Sequence, residues 1–393
     1  MTNNAVNISW SAKRSLFANV QLSHMVPVEH AEVSRIRTGY ERVFPHMTSS
    51  KYSYTAEQDG KVISHDESLK LLKIRYRDNQ EVTLKYGEEY TYCADKYITQ
   101  DIRSDLKIND IFKRGDILIY HAGFFKKDHY SNQVDFKHGT FANVALVEIG
   151  GTFEDSSVIS TEFSNKTKMK PVYERLVVFD KDDVVIQSVI EGQEVSVSDY
   201  LIVIEDSDIA AFTLDNQQDE ANDYLIGLNR SAPRAKYTGK VVKIDAYYAA
   251  DVKSMHPSVQ KVLKPILDKQ KKSFEFARGS STESEFTIPK PLPKDTKYKQ
   301  VDFDENTVVI QYLIQEELES GIGDKIVISN SLKTVISDVQ EYPGETLSGE
   351  KIDILFSSSS ISNRIVNSPA VCGLGERCLV KLEEDVLKMY FDE

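Results

Sequence analysis

Lys325 and Lys333 stand eight residues apart in GDKIVISNSLKTVISD (323–338), with only hydrophobic or small polar residues between them. Two ammonium groups that converge can hold one phosphate-sized anion. On a straight strand their even separation puts them on one face but about 26 Å apart at ~3.3 Å per residue, too far to share a ligand. If ISNS (328–331) folds as a turn, they converge, and Asn330 and the flanking serines are turn formers. The plain alternative is two solvated lysines flanking a hairpin. In GGTFEDSSVIS (150–160), the adjacent Glu154 and Asp155 precede a strand-like run. Such a pair suits a hydrated Mg2+, which takes one or two carboxylates plus phosphate oxygens and water; an ordinary acidic turn is the alternative. In SSSSISNRIVNSP (357–369), Arg364 is the sole charge in what reads as a long Ser/Asn/Ile loop. A guanidinium there either clamps backbone carbonyls or forks onto phosphate oxygens. VDFDEN (301–306) lacks the third alternating aspartate and the glycine of a metal loop, and reads as the solvated start of a strand.

These groups must be positioned mainly by strands. Val/Ile/Tyr-rich runs bounded by Gly, Asp or Asn recur at 68–76, 116–122, 143–150, 175–180, 199–206, 307–314 and 351–356. Helical periodicity is rarer: 256–277, interrupted by Pro265 and basic in its second half, and a segment around 377–390. LKINDIFKRGDILIY (106–120) and VIEGQEVSVSDYLIVIE (189–205) share a polar turn before a hydrophobic strand, a habit of small β-barrels. Residues 200–228 hold seven acids and no base, as a contact surface for another subunit or a solvated loop. Residues 278–300 are Ser/Pro/Lys-rich and read as a connector. The expected segments are 1–170, 171–300 and 301–393.

The whole chain of 393 residues has 48 Lys+Arg against 61 Asp+Glu, a net charge of −13 and 40% hydrophobic residues. That is ample for several cores, and it argues against coating DNA or an anionic membrane by overall charge. A local cluster of lysines can still outweigh a distant negative background within a Debye length of ~8 Å. Cys93, Cys372 and Cys378 are sparse and form no CxxC motif, which fits a reducing compartment and bland thiols. No stretch approaches the ~20 apolar residues of a membrane span, and the N-terminus lacks a signal-peptide apolar run. A soluble, intracellular protein is expected.

Taken in order, the motifs resemble the C-terminal portion of the β subunit of multisubunit DNA-dependent RNA polymerases. The family loop GDKxAGRHGNKGV is matched without a gap by GDKIVISNSLKTV (323–335), although its Arg-His-Gly-Asn core is SNSL here. DIVLNPLGVPSRM is matched by DILFSSSSISNRI (353–365), which keeps Asp353 and Arg364, and GYNFEDAIIIS by GGTFEDSSVIS, which keeps Glu154 and Asp155. KRSLFANVQLSHMVPV, RIRTGYERVF and EQDGKVISHDESLKLLKI resemble further family blocks upstream. Six blocks in family order cover most of 13–165 and 305–371. Neither the family's N-terminal lobe nor its clamp-binding tail has a counterpart here, a pattern that resembles the split subunits of giant bacteriophages.

The resemblance implies a mainly β fold with some α: a double-psi β-barrel interrupted by a flap-like β insertion. It implies that Lys325 and Lys333 hold phosphates of the RNA 3′ end and incoming nucleotide. Arg364 and Arg14 would neutralise the nucleoside triphosphate, and Glu154 and Asp155 would bind a second Mg2+. The catalytic Mg2+ would be held by an Asp triad on a β′-type partner, so the chain would be inactive alone. Expected partners are β′-type subunits, an N-terminal β-type subunit, a promoter-specificity subunit, DNA template and RNA, with no membrane. The expected setting is the cytoplasm of an infected bacterial cell or a virion. A different class of function is an inert polymerase-like scaffold or inhibitor docked on a host polymerase.

Overall fold

The structure, a computed structural model, describes residues 12–93, 96–205, 230–287, 289–293, 295–299, 301–329, 332–364 and 368–391. It is mainly β with some α, 36% strand and 24% helix. Among the described residues the strands form open sheets, and none closes into a barrel. Most of the acidic stretch 200–228 lies outside the described residues, beyond Glu205. No helix of the described residues is long and apolar enough to cross a membrane.

The largest sheet is antiparallel. Its strand Thr307–Gln315 pairs with Pro171–Asp180 on one side and Gly239–Tyr248 on the other. Eight of its nine residues are buried, as the continuous run TVVIQYLI requires of a strand covered on both faces. The helices are α1 (Ala12–Ser23), α2 (Tyr40–Met47), α3 (Thr161–Lys166), α4 (Pro257–Ala277), α5 (Ser358–Arg364) and α6 (Ser368–Phe391). α4 covers this sheet with Val259, Leu263 and Leu267, which join the same core as Val308, Ile310 and Tyr312. The sequence expectation of an interruption at Pro265 is corrected, because the helix runs through it. A mid-helix proline costs about 3 kcal/mol, whereas each buried aliphatic side chain contributes roughly 1.5–3 kcal/mol, so three of them outweigh it. His256 caps the start and Pro257 follows at the first helical position, where its missing N–H costs nothing. A second core lies over the sheet of Gly60–Asp66, Leu71–Tyr76, Glu81–Lys85 and Ile111–Phe112.

The sheet that matters for the motifs is smaller. Its strands are β1 (Val144–Leu146), β2 (Ser156–Ser160), β3 (Lys325–Ile328), β4 (Leu332–Gln340) and β5 (Ile354–Phe356), in spatial order β1-β5-β2-β4-β3. β1 runs parallel to β5, and β2 parallel to β4; the other two pairings are antiparallel. Segments before residue 161 and after 324 thus meet in one sheet to which 171–300 contributes no strand. Asp353, 7% exposed, helps join them: its carboxylate accepts from Asn143 N at 2.8 Å just before β1.

Candidate functional site

The two-lysine stretch folds as a hairpin. Gly323, at φ +95°, turns the chain into β3, and Asp324 accepts from Gly321 N at 2.9 Å to close that turn. Ser329, at φ +50°, begins the reversal into β4; Asn330 and Ser331 lie outside the described residues. In the hairpin register Lys325 faces Val335 and Lys333 faces Val327. The lysines are therefore diagonal neighbours on one face, with a separation of roughly 7–8 Å rather than 26 Å. The two lysines thus lie on paired strands of one hairpin rather than along a single straight strand. Along β4, Leu332, Thr334 and Ile336 are buried while Lys333, Val335 and Ser337 are exposed, as period-2 alternation dictates. Among the described residues neither lysine has an ion-pair partner.

Glu154 and Asp155 sit on the turn that enters β2. Glu154 has φ +54°, a left-handed conformation that costs a non-glycine residue about 1 kcal/mol or more. Three contacts hold it. Ser360 Oγ of α5 donates to the Glu154 carbonyl, while Thr334 Oγ1 (2.8 Å) and Val335 N (2.9 Å) of β4 donate to the Asp155 carbonyl. The carboxylate of Asp155 is gripped by Arg364, whose Nη2 donates to Oδ2 at 2.5 Å and also contacts Oδ1. The acidic turn, the lysine hairpin and the arginine thus meet at one place, although their partners lie 179 to 209 residues apart in sequence.

Arg364 is not in a loop, as its Ser/Asn/Ile surroundings suggested; it ends the short helix α5. Ser357 Oγ accepts from Ser360 N at 3.1 Å as the N-cap. Beside it, Glu148 Oε1 accepts from Ser359 N at 2.8 Å and from the hydroxyls of Ser357, Ser358 and Ser359 at 2.7–2.9 Å. These donors, the Ser359 N–H first, hold the Glu148 carboxyl down to about 2. A serine run has weak helix propensity, and the carboxylate that organises it comes from 209 residues upstream. The sequence reading missed Glu148; the only signal was the serine run itself.

Arg14 lies in α1, and its side chain is outside the described residues. In VDFDEN, Val301–Asp302 is a short strand, and Asp304 caps the following turn by accepting from Thr307 Oγ1 at 2.6 Å. Cys372 is buried and Cys378 exposed, and neither forms a disulfide among the described residues. No protein-family profile matches the sequence, and no curated protein matches it.

Proposed function

We propose that the chain is a split β-type subunit of a multisubunit DNA-directed RNA polymerase. It would contribute phosphate- and Mg2+-binding side chains to an active centre completed by β′-type partners, and serve phage transcription. The observation that carries this reading is the convergence of Lys325, Lys333, Glu154, Asp155 and Arg364 on one sheet and its flanking helix. These groups were singled out from separate stretches of sequence, and folding unites them. The five-stranded sheet with its mixed parallel and antiparallel order would be this chain's part of the double-psi barrel, with 171–300 as the flap-like insertion.

The chain's own residues suit nucleotidyl transfer. Lys325 and Lys333 are mobile point charges on an exposed face, apt for a phosphate that shifts position at each addition. Arg364 offers a planar fork that can orient a triphosphate. Arg14 would add a second charge to the same anion. Glu154 is exposed and Asp155 half-exposed, so a hydrated Mg2+ fits their oxygens if Arg364 exchanges Asp155 for phosphate. Such an ion, when bound, neutralises charge on the leaving pyrophosphate. The paired Asp155 and Arg364 would otherwise compensate each other, which is what an inert scaffold docked on a host polymerase would retain.

The test is affinity purification of the tagged chain from its native source, followed by template-directed RNA synthesis on the eluate. Co-purifying β′-like chains with Mg2+-dependent synthesis supports the polymerase. A lone chain, or one bound to an intact host polymerase without new activity, replaces it with the scaffold.

A further inference from the structure

α4 carries its own charge pattern, away from the motifs above. With Val259, Leu263 and Leu267 buried against the large sheet, the helical period turns Lys261, Lys264, Lys271 and Lys272 to solvent. Asp268 and Glu275 share that face, while Lys253 before the helix and Arg278 after it extend it. Among the described residues none of these six basic side chains has an ion-pair partner. The bordering acids are engaged elsewhere: Glu191 with Lys269 at 2.8 Å, Glu81 with Arg75 at 2.6 Å, and Glu283 with Gly279 N at 2.7 Å. The result is a local excess of positive charge on a chain whose net charge is −13.

We infer that the exposed face of α4 is a docking surface for the phosphodiester backbone of a nucleic acid. Eleven residues separate Lys261 from Lys272, about 17 Å at 1.5 Å per residue, enough to follow several phosphates. The exposed side chains of this face are lysines, two prolines and two carboxylates, with no exposed aromatic ring to stack a base, so contact is with backbone and independent of sequence. An anionic membrane is the poorer fit. A helix that binds a bilayer inserts its apolar face, and the apolar face of α4 is committed to the core. The inference does not depend on the polymerase reading, because α4 packs on Val184–Ser188, Gly239–Tyr248 and Leu71–Tyr76, strands of other sheets than the two-lysine hairpin's.

The test is fluorescence anisotropy of the full chain with labelled 20-nucleotide RNA, single-stranded DNA and a 20-base-pair duplex, across a salt series. The variant K261Q/K264Q/K271Q/K272Q changes only exposed positions, and circular dichroism checks its fold. Binding should weaken at least tenfold in this variant and fall steeply with salt, with a log–log slope of about −3 for four phosphates neutralised. A K107Q/K113Q variant, at exposed lysines outside both α4 and the lysine hairpin, should bind as the parent does, which separates this surface from a general loss of positive charge. The strongest of the three probes identifies the source of the phosphates. Undiminished binding by the α4 variant, no binding of any probe at about 50 mM salt, or preferential capture of anionic vesicles each overturns the inference.

Discussion

The ion pair between Arg364 and Asp155 separates a structural from a functional role by magnitude. Its two side chains are 25% and 49% exposed, so water screens them. Pairs this exposed contribute about 0.2–1 kcal/mol to stability. If the pair only fastens α5 to the acidic turn, Arg364→Gln and Asp155→Asn should each cost at most that much. Activity would then change no more than about fivefold, since 1.36 kcal/mol corresponds to tenfold. If instead each charge acts on nucleotide or metal during transfer, removing one fixed donor or ligand costs about 2.7–4 kcal/mol of transition-state stabilisation, or 10²–10³ in rate. The measurements are urea unfolding of the purified chain and single-nucleotide addition by the assembled complex on a preformed template–RNA scaffold. The expected result is a stability loss below ~1 kcal/mol with a rate loss near 100-fold for either variant, and poor rescue by Arg364→Lys, which lacks the fork. Rate losses within fivefold, tracking stability in both single variants and the double variant, would refute the assignment.

Three further outcomes follow from named groups. Burial pushes the His121 pKa down to about 4, with Asp101 and Lys137 as charged neighbours; its Nδ1 accepts from Gly123 N at 3.0 Å and its Nε2 is buried with no partner among the described residues. The neutral ring is favoured in the fold, so its contribution is complete above pH 6.5 and lost as pH falls toward 4. That loss is about 2 kcal/mol by pH 5; urea midpoints at pH 7 and 5 that differ equally in the parent and in His121→Asn would contradict it. At Glu154, the left-handed backbone predicts that Glu154→Gly is more stable than Glu154→Ala by about 0.5–1 kcal/mol, with both slow in nucleotide addition; the reverse stability order would show the turn is unstrained. Glu148→Ala strands the donors of Ser357, Ser358 and Ser359, and hydrogen exchange across 359–364 should accelerate. The parent should show the same acceleration as pH drops from 4.5 toward about 2, where the lowered carboxyl finally protonates; unchanged exchange in the variant would remove Glu148 as the organiser of α5.

Local chemistry was the legible part of the sequence. The unbroken TVVIQYLI run became the buried central strand, and the 3.6-residue pattern of 256–277 became α4. GDK marks the turn that leads into the lysine hairpin. Illegible were features that depend on distant partners. NVALVEIG predicts one strand through 150, yet the strand ends at Leu146, because Thr152 Oγ1 donates to the Val147 carbonyl at 2.7 Å and folds the rest into a tight turn. The serines before Arg364 gave a loop by propensity, and a carboxylate 209 residues away made them a helix. Pro265 predicts a break for the opposite reason: the core beneath α4 is not visible in the local sequence.

The same distance dependence places the lysines. β4 is a nine-residue strand with alternating burial, so a slip of one residue against β2 would turn Lys333 inward and Leu332 outward. The hairpin turn fixes Lys333 relative to Lys325, but it cannot fix either relative to Glu154. That second relation is set where Thr334 and Val335 both donate to the Asp155 carbonyl. Thr334 is 1% exposed, so its hydroxyl has no water to replace that acceptor. One buried side chain therefore couples the register of the lysine strand to the backbone of the acidic turn. Thr334→Val keeps the shape, leaves Val335 N as the sole β4 donor, and should cost about 1 kcal/mol. If the coupling is right, the variant also loosens the grip of Arg364 on Asp155, visible as faster hydrogen exchange in 153–157 and 360–364 together. Faster exchange in β4 alone would mean that the turn and the lysines are positioned independently.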